Sequence, residues 1–232
     1  MVSLQSIRYE SHFCDGSLIY EQFVLTAAHC LEDKHPSQIM VVVGLHELNT
    51  PRNQIYYVES FAIHEMYDSV NILYDIGIIK LAKRVQMSDK VSTICLPNNE
   101  NDANSIYYKL VVLAGWGRID KGTQDILASS LQEAILEIKN GMYPCNARDY
   151  NSEIIYCAID PNKTEDSNAC NGDSGGPIFI KLPDAWYAYG ITSYITGSSE
   201  SNDVVKCEYD KPSYYTKIAL YLKWIAWKIS TL

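Results

Sequence analysis

The sequence lacks the features that mark several classes of protein. It has no run of 18 apolar residues, so it predicts no membrane-spanning helix and no membrane partner. Its cysteines form no CxxC pair, which argues against a zinc site. Basic residues form no cluster and the formal net charge is −9, so a nucleic-acid partner is not expected. No basic start followed by an apolar run is present, so residues 1–5 are not a signal peptide.

The composition favours a globular protein from an oxidising compartment. Of its 232 residues, 47% are hydrophobic, which is enough for a core, and the length suits one large all-β unit or two small barrels sharing a cleft. Seven cysteines are more than we expect in a cytosolic chain of this size that does not use them, and disulfide bonds explain them better. We therefore expect a secreted, extracellular protein. Without a signal peptide, the sequence is expected to be part of a longer translated product.

Residues 170–177, which read CNGDSGGP, are the most informative stretch. A serine between glycines, here Ser174, suits a turn that exposes its hydroxyl group. Gly172 leaves the neighbouring N–H groups free to point at one spot, and two such donors are what acyl transfer needs to stabilise a developing oxyanion. Four such residues alone also fit an ordinary surface loop, so the prediction depends on partners elsewhere in the chain.

Those partners are present in a defined order. Together with TAAHC at residues 26–30 and YDI at residues 74–76, the stretch resembles the chymotrypsin-like serine peptidases, whose order is also His, Asp, Ser. The resemblance implies an all-β fold of two antiparallel six-stranded β-barrels with a C-terminal helix. It implies an N-terminal barrel in residues 1–102, which carries the histidine and aspartate. Residues 103–232 would form the second barrel, with the serine, the specificity pocket and the helix. The chain ends with Ile218, Leu222, Ile225 and Ile229, which are apolar at helical spacing, and we expect this helix to dock on the protein body.

Each candidate catalytic residue is assigned from a chemical requirement of the reaction. A serine hydroxyl is a poor nucleophile, so Ser174 needs a base, and His29 is the candidate. A buried carboxylate must orient the imidazole and stabilise its cation, and Asp75 heads an apolar strand. Asp68, the nearest competitor, lies in a polar turn without a following strand, so we assign the role to Asp75. The N–H groups of Gly172 and Ser174 would form the oxyanion hole.

The resemblance also suggests the specificity pocket. Asn168 falls at its base, where trypsin-like members carry aspartate, so an Arg or Lys side chain of a substrate would find no partner for its charge. The strand Ser193-Tyr194-Ile195 resembles one that usually reads Ser-Trp-Gly, and Ile195 should narrow the mouth. Ser213 likewise replaces a common glycine. We expect a preference for small or medium apolar side chains; the alternative is that Asn168 and Ile195 merely fill a closed pocket.

Six of the cysteines allow fifteen pairings, so the connectivity comes from the resemblance alone. It implies the three disulfides Cys14–Cys30, Cys145–Cys157 and Cys170–Cys207. Cys95 is left over, at the position from which some family members bond to a propeptide or an N-terminal module. A free thiol is the alternative for Cys95.

Two positions are linked to activation in the family. Family members become active when cleavage of an upstream segment frees a new N-terminal amine. This amine pairs with the aspartate just before the nucleophile, which is Asp173 here. The sequence begins after the corresponding segment, and His12 stands where a histidine supports this aspartate in some zymogens. We therefore expect residues 1–232 alone to be zymogen-like, with a poorly formed oxyanion hole. A further departure is Asp15, which replaces a usual glycine.

The function that follows is a secreted serine endopeptidase that uses a Ser-His-Asp triad and an acyl-enzyme. No metal and no organic cofactor is expected; Leu45 stands where some members use an acidic side chain to hold calcium. The expected partners are protein or peptide substrates, protein inhibitors and the module tethered through Cys95. The alternative is a catalytically silent or zymogen-like homologue that acts as a binding or regulatory protein.

Overall fold

The computed structural model describes residues 1–50, 54–119, 127–141, 143–146, 150–162, 168–196 and 210–232. These residues form strands that close into two six-stranded antiparallel barrels, and a helix follows at the C-terminus, which confirms the predicted fold. The strands are β1 (Val2–Ser6), β2 (His12–Tyr20), β3 (Phe23–Thr26), β4 (Ile39–Val43), β5 (Ile55–Ile63), β6 (Gly77–Leu81), β7 (Leu110–Gly115), β8 (Gln132–Lys139), β9 (Ile155–Ile159), β10 (Pro177–Lys181), β11 (Trp186–Ile195) and β12 (Ser213–Lys217).

Each barrel closes by pairing strands that are distant in sequence. The strand order is β1-β2-β3-β6-β5-β4 in the first barrel and β10-β11-β12-β9-β8-β7 in the second. Several strands are apolar throughout rather than alternating; β4 reads IMVVV and all five residues are buried. β-Branched side chains suit such a strand, because both of its faces are covered. The C-terminal end of β3, the N-terminal end of β6 and the C-terminal end of β11 lie next to the candidate active site.

The C-terminal segment crosses back to the first barrel. A 3₁₀ helix at Ile218–Tyr221 leads into the α-helix α1 (Leu222–Thr231). Ile218 and Ile225, two members of the apolar spacing that predicted this helix, are buried in the same core cluster as the first barrel. The helix therefore docks on the protein body, as the sequence predicted. No helix in the described ranges has the length and apolar character needed to cross a membrane.

Candidate active site

The imidazole of His29 is held by one buried carboxylate. His29 follows the end of β3, and its Nδ1 donates to Asp75 Oδ2 at 2.8 Å while its backbone N–H donates to Asp75 Oδ1 at 3.0 Å. Because a carboxylate oxygen accepts, this bond places the ring proton on Nδ1, and Nε2, which lies 3.7 Å from the disulfide-bonded Sγ of Cys30, keeps its lone pair to accept another proton. Burial lowers the pKa of His29, but the hydrogen bond and charge of Asp75 outweigh it, and the pKa is raised above 6.5.

Asp75 lies between the two barrels. Its side chain has no solvent exposure, and it lies two residues before β6 and directly after Tyr74, whose φ of +55° is unusual for a bulky residue. From the second barrel, Ser193 Oγ donates to Asp75 Oδ2 at 2.5 Å and Thr216 Oγ1 donates to the Asp75 carbonyl at 2.8 Å. Asp68, by contrast, accepts bonds from its own turn. The structure thus brings Asp75, and not Asp68, to His29.

Ser193 has a contact that the sequence did not predict. The sequence predicts it among the residues of the specificity pocket, and in the structure its buried hydroxyl group faces the carboxylate of Asp75. The pairing of β11 with β12 shifts register between Thr192 and Tyr194, so Ser193 sits at an irregularity of the ladder. Such irregularities re-aim a side chain. Neither this contact nor that of Thr216 left a signal in the sequence.

The turn that carries Ser174 requires its glycines. Gly172 has a φ of +104°, and a β-carbon there would lie 2.9 Å from Leu127 Cδ2. Gly175 has a φ of +80°, and a β-carbon there would lie 2.5 Å from the carbonyl oxygen of Asp15. Both positions therefore combine a left-handed backbone with too little space for a side chain. These two constraints explain why glycine, and no residue with a side chain, stands at positions 172 and 175 of the nucleophile turn.

The N–H groups of Gly172 and Ser174 are available for a ligand. In the described part of the chain neither donates to a protein acceptor, whereas the N–H groups of Asp173 and Gly175 bond to Cys170 and Thr192. No hydrogen bond between Ser174 Oγ and His29 is formed among the described residues. Such catalytic bonds often tighten only once substrate is bound.

The two activation-linked residues support this turn separately. Asp173 is buried, and its two oxygens accept the N–H groups of Gly117 at 2.7 Å and Cys170 at 2.8 Å. Burial raises the pKa of Asp173 to about 6, although both N–H donors lower it. His12 bonds through Nε2 to the carbonyl of Gly172 and through Nδ1 to Ser3 Oγ, each at 2.9 Å. His12 therefore supports Gly172, while the N–H groups of Gly117 and Cys170 hold Asp173.

The expected pocket residues converge around Ser213. Its Oγ donates to Asn168 Oδ1 at 2.6 Å and lies 2.7 Å from the Tyr215 hydroxyl. Asn168 Nδ2 donates to the carbonyl of Lys211 at 2.6 Å, so the amide is engaged at both ends. Ile195 pairs with Ser213 across β11 and β12. The structure thus joins Asn168, Ser213 and Ile195 as neighbours.

Tyr194 stacks on Tyr214, with ring centroids 4.5 Å apart. Both tyrosines contact the core cluster that contains the Cys145–Cys157 disulfide. Tyr194 is thereby fixed by aromatic packing at the strand that also carries Ile195.

Two of the implied disulfides are present, Cys14–Cys30 and Cys145–Cys157. Cys170 is disulfide-bonded, and Cys207 lies outside the described residues. Cys95 is free and exposed. Cys14, His29 and Cys30 are close enough to be considered as a metal site, but both sulfurs are in the disulfide, so neither is available as a thiolate ligand.

Comparison with known proteins identifies similar chains. A family model described as Trypsin matches residues 1–225. Chymotrypsin-C of Mus musculus is 34% identical over 240 residues, which cover 98% of this chain and 83% of that protein. Chymotrypsin-C of Bos taurus is 30% identical over 236 residues, with the same coverage. Granzyme-like protein 2 of Rattus norvegicus is 32% identical over 217 residues, covering 92% of this chain and 77% of that protein.

Proposed function

Because the chain belongs to the trypsin family and is a serine-type endopeptidase, we propose that it cleaves peptide bonds through a triad of Ser174, His29 and Asp75. The observation that carries this proposal is the 2.8 Å bond between His29 Nδ1 and Asp75. It leaves Nε2 as an acceptor for the proton of Ser174. The unbonded N–H groups of Gly172 and Ser174 support the same assignment.

The proposed reaction has two stages. Ser174 Oγ attacks the carbonyl carbon of the scissile bond, and its proton passes to His29 Nε2. The carbon–nitrogen bond then breaks as His29 gives that proton to the leaving amine, and an ester remains on Ser174. Water attacks this ester by the same route, which releases the acid and restores the hydroxyl group. Asp75 stabilises the imidazolium in both stages, and the N–H groups of Gly172 and Ser174 stabilise the oxyanion.

The proposed specificity is for small or medium apolar side chains. The base of the pocket presents the amide of Asn168, which is already bonded to Ser213 and Lys211, and this amide carries no charge. A substrate Arg or Lys would therefore have to bury an uncompensated charge. The isoleucine at position 195 adds apolar bulk on the neighbouring strand.

The disulfides support a secreted, extracellular location, because they form and persist in oxidising compartments. The exposed thiol of Cys95 suits a disulfide to a propeptide or an N-terminal module, as the resemblance implies. Protein inhibitors would be expected to occupy the same cleft as substrates. We also propose that the domain boundary lies between residues 102 and 103, within the 3₁₀ helix Glu100–Asn104 that precedes the second barrel.

A fluorophosphonate probe tests the triad, because it labels only an activated serine. We expect rapid labelling of the wild type in its activated form and none of Ser174→Ala or His29→Ala in the same form, whereas residues 1–232 alone, expected to be zymogen-like, should label slowly. Ser88→Ala, which removes an exposed serine hydroxyl, is the matched control and should label like the wild type. An activated, folded wild type that does not label would instead support a silent homologue with a binding or regulatory role.

Peptide-library profiling tests the pocket. We expect cleavage after small or medium apolar residues and little after Arg or Lys. Asn168→Asp places a carboxylate at the base, so the ratio of cleavage after Arg or Lys to cleavage after apolar residues should increase. Strong wild-type cleavage after Arg would contradict the assignment of Asn168 as the base of the pocket.

A further inference from the structure

One exposed asparagine stands in a motif that the peptidase reaction does not use. Asn162 is followed by Lys163 and Thr164, and this Asn-x-Thr pattern, in which x is not proline, is the acceptor motif for N-linked oligosaccharides. No other asparagine of the sequence has serine or threonine two residues after it. The sequence therefore contains a single candidate acceptor. Asn162 lies in the described part of the chain, and Lys163 and Thr164 lie outside it.

Asn162 lies in a surface turn that follows a buried strand. All five residues of β9 are buried, as is Asp160, whereas Pro161 and Asn162 are exposed. The N–H of Asn162 donates to Asp160 Oδ1 at 2.8 Å, so a buried side chain holds the backbone of the acceptor. An N-linked oligosaccharide is bulky and hydrated and is accommodated only at a surface position, which this turn provides.

The side-chain amide of Asn162 is available for attachment. Within the described ranges, Asn162 forms its hydrogen bond through the backbone N–H and none through the amide group. The amide of Asn168, by contrast, is bonded at both ends, to Ser213 and to Lys211. A sugar on Asn162 Nδ2 therefore breaks no hydrogen bond of the described fold.

The disulfides are an independent argument for this modification. Cys145–Cys157 ends on β9, the strand that leads to Asn162, and Cys14–Cys30 lies in the other barrel. Such bonds form in the oxidising compartments through which a secreted chain passes. Asn-x-Thr motifs of secreted proteins receive their oligosaccharides on the same route.

The attachment point lies at the pocket end of the second barrel. β9 pairs with β12 so that Ala158 lies opposite Ser213, and Ser213 bonds to Asn168 at the base of the proposed pocket. Asn162 comes four residues after Ala158 in the sequence, which spans at most about 14 Å of extended chain. An oligosaccharide on Asn162 therefore covers surface at the same end of the barrel as the pocket base.

We propose that Asn162 carries an N-linked oligosaccharide. In the transfer step, Asn162 Nδ2 forms a bond to C1 of a sugar that arrives as a glycosyl diphosphate. The bond between C1 and the diphosphate oxygen breaks, the diphosphate leaves with the electron pair, and the amide nitrogen gives up one proton. This inference rests on the proposed function only through the secreted location, because the chain meets the glycosyl donor on the secretory route.

Mass spectrometry of the protein as its source secretes it tests the modification. Peptide-N-glycosidase releases an N-linked oligosaccharide and converts the asparagine that carried it to aspartate. We expect the intact mass to fall by the mass of one oligosaccharide. In H₂¹⁸O, the peptide that contains residue 162 should gain one ¹⁸O atom. A secreted protein whose mass does not change and whose peptide contains unmodified Asn162 would overturn the proposal.

Substitutions within the motif assign the mass change to Asn162. Thr164→Ala leaves Asn162 in place but destroys the motif, and Asn162→Gln removes the acceptor, so both should lose the mass change completely. Thr164→Ser keeps the motif and should retain it. Asn49→Gln removes an exposed asparagine outside the motif and is the matched control. A mass change that survives Thr164→Ala would contradict attachment at Asn162. If a variant does not fold, the result on the native protein still decides.

The outcomes separate this inference from the proposed function. A glycosylated Asn162 in a protein without peptidase activity would refute the triad and leave the inference in place. A secreted, active peptidase with an unmodified Asn162 would refute the inference alone.

Discussion

The hydroxyl group of Ser193 is one of three donors to the carboxylate of Asp75, and Ser193→Ala removes it alone. The bond is 2.5 Å long and charge-assisted, and the Asp75 side chain has no solvent exposure. Water is therefore poorly placed to replace the lost donor. The two bonds from His29 remain, so the substitution tests the share of the carboxylate's stabilisation that comes from the second barrel.

The expected magnitude follows from the strength of such bonds. A hydrogen bond to a charged group contributes about 1.5–3 kcal/mol to stability. For a chain of this size, each kcal/mol moves the unfolding temperature by about 2–4 °C, so Ser193→Ala should lower it by about 3–12 °C. If the whole energy acts in the transition state, kcat/KM should fall by about 10- to 150-fold.

The assay compares thermal unfolding at neutral pH with kcat/KM on one peptide substrate. Ser60→Ala is the matched control, because the Ser60 hydroxyl on β5 is buried and has no hydrogen-bond partner among the residues that the structure describes. We expect Ser60→Ala to leave both quantities close to the wild-type values. If Ser193→Ala behaves like Ser60→Ala, the contact with Asp75 contributes nothing and the reasoning is refuted.

Two further predictions concern His29 and the first disulfide. His29 acts as a base only when neutral, so kcat/KM should rise with pH through a pKa above 6.5. Asp75→Asn removes the group that raises this pKa, so the acid limb of the pH profile should move to lower pH. The same substitution should lower kcat by about 10⁴-fold, the effect known for the equivalent change in a Ser-His-Asp triad. An unmoved acid limb in the variant would contradict this pairing. Replacing Cys14 and Cys30 by serine opens a link between residues 16 apart in sequence, and we expect a loss of about 3 kcal/mol, measured by urea unfolding. Equal unfolding midpoints would show that the cross-link does not stabilise the fold.

The sequence by itself determined the local features of this protein. The glycines beside Ser174 predicted a tight turn, and the structure gives Gly172 and Gly175 left-handed backbones with no room for a side chain. The apolar spacing at the C-terminus predicted a docked helix, and Ile218 and Ile225 are buried in the core. These features depend on backbone conformation and apolar periodicity over a few residues, which the sequence contains directly. The fold itself was predicted from the resemblance of three short motifs.

Only the tertiary structure decided which distant groups meet. Ser193 is 118 residues from Asp75 in sequence, and an irregularity in the β11–β12 ladder turns its hydroxyl group toward that carboxylate. His12 bonds to the carbonyl of Gly172, whereas Asp173 accepts the backbone N–H groups of Gly117 and Cys170. In the sequence, Asp15 is only an isolated departure from a usual glycine. In the structure, closure of the barrels places its carboxyl group beside Asp173. Such contacts arise from the packing of one barrel against the other, which no local pattern encodes.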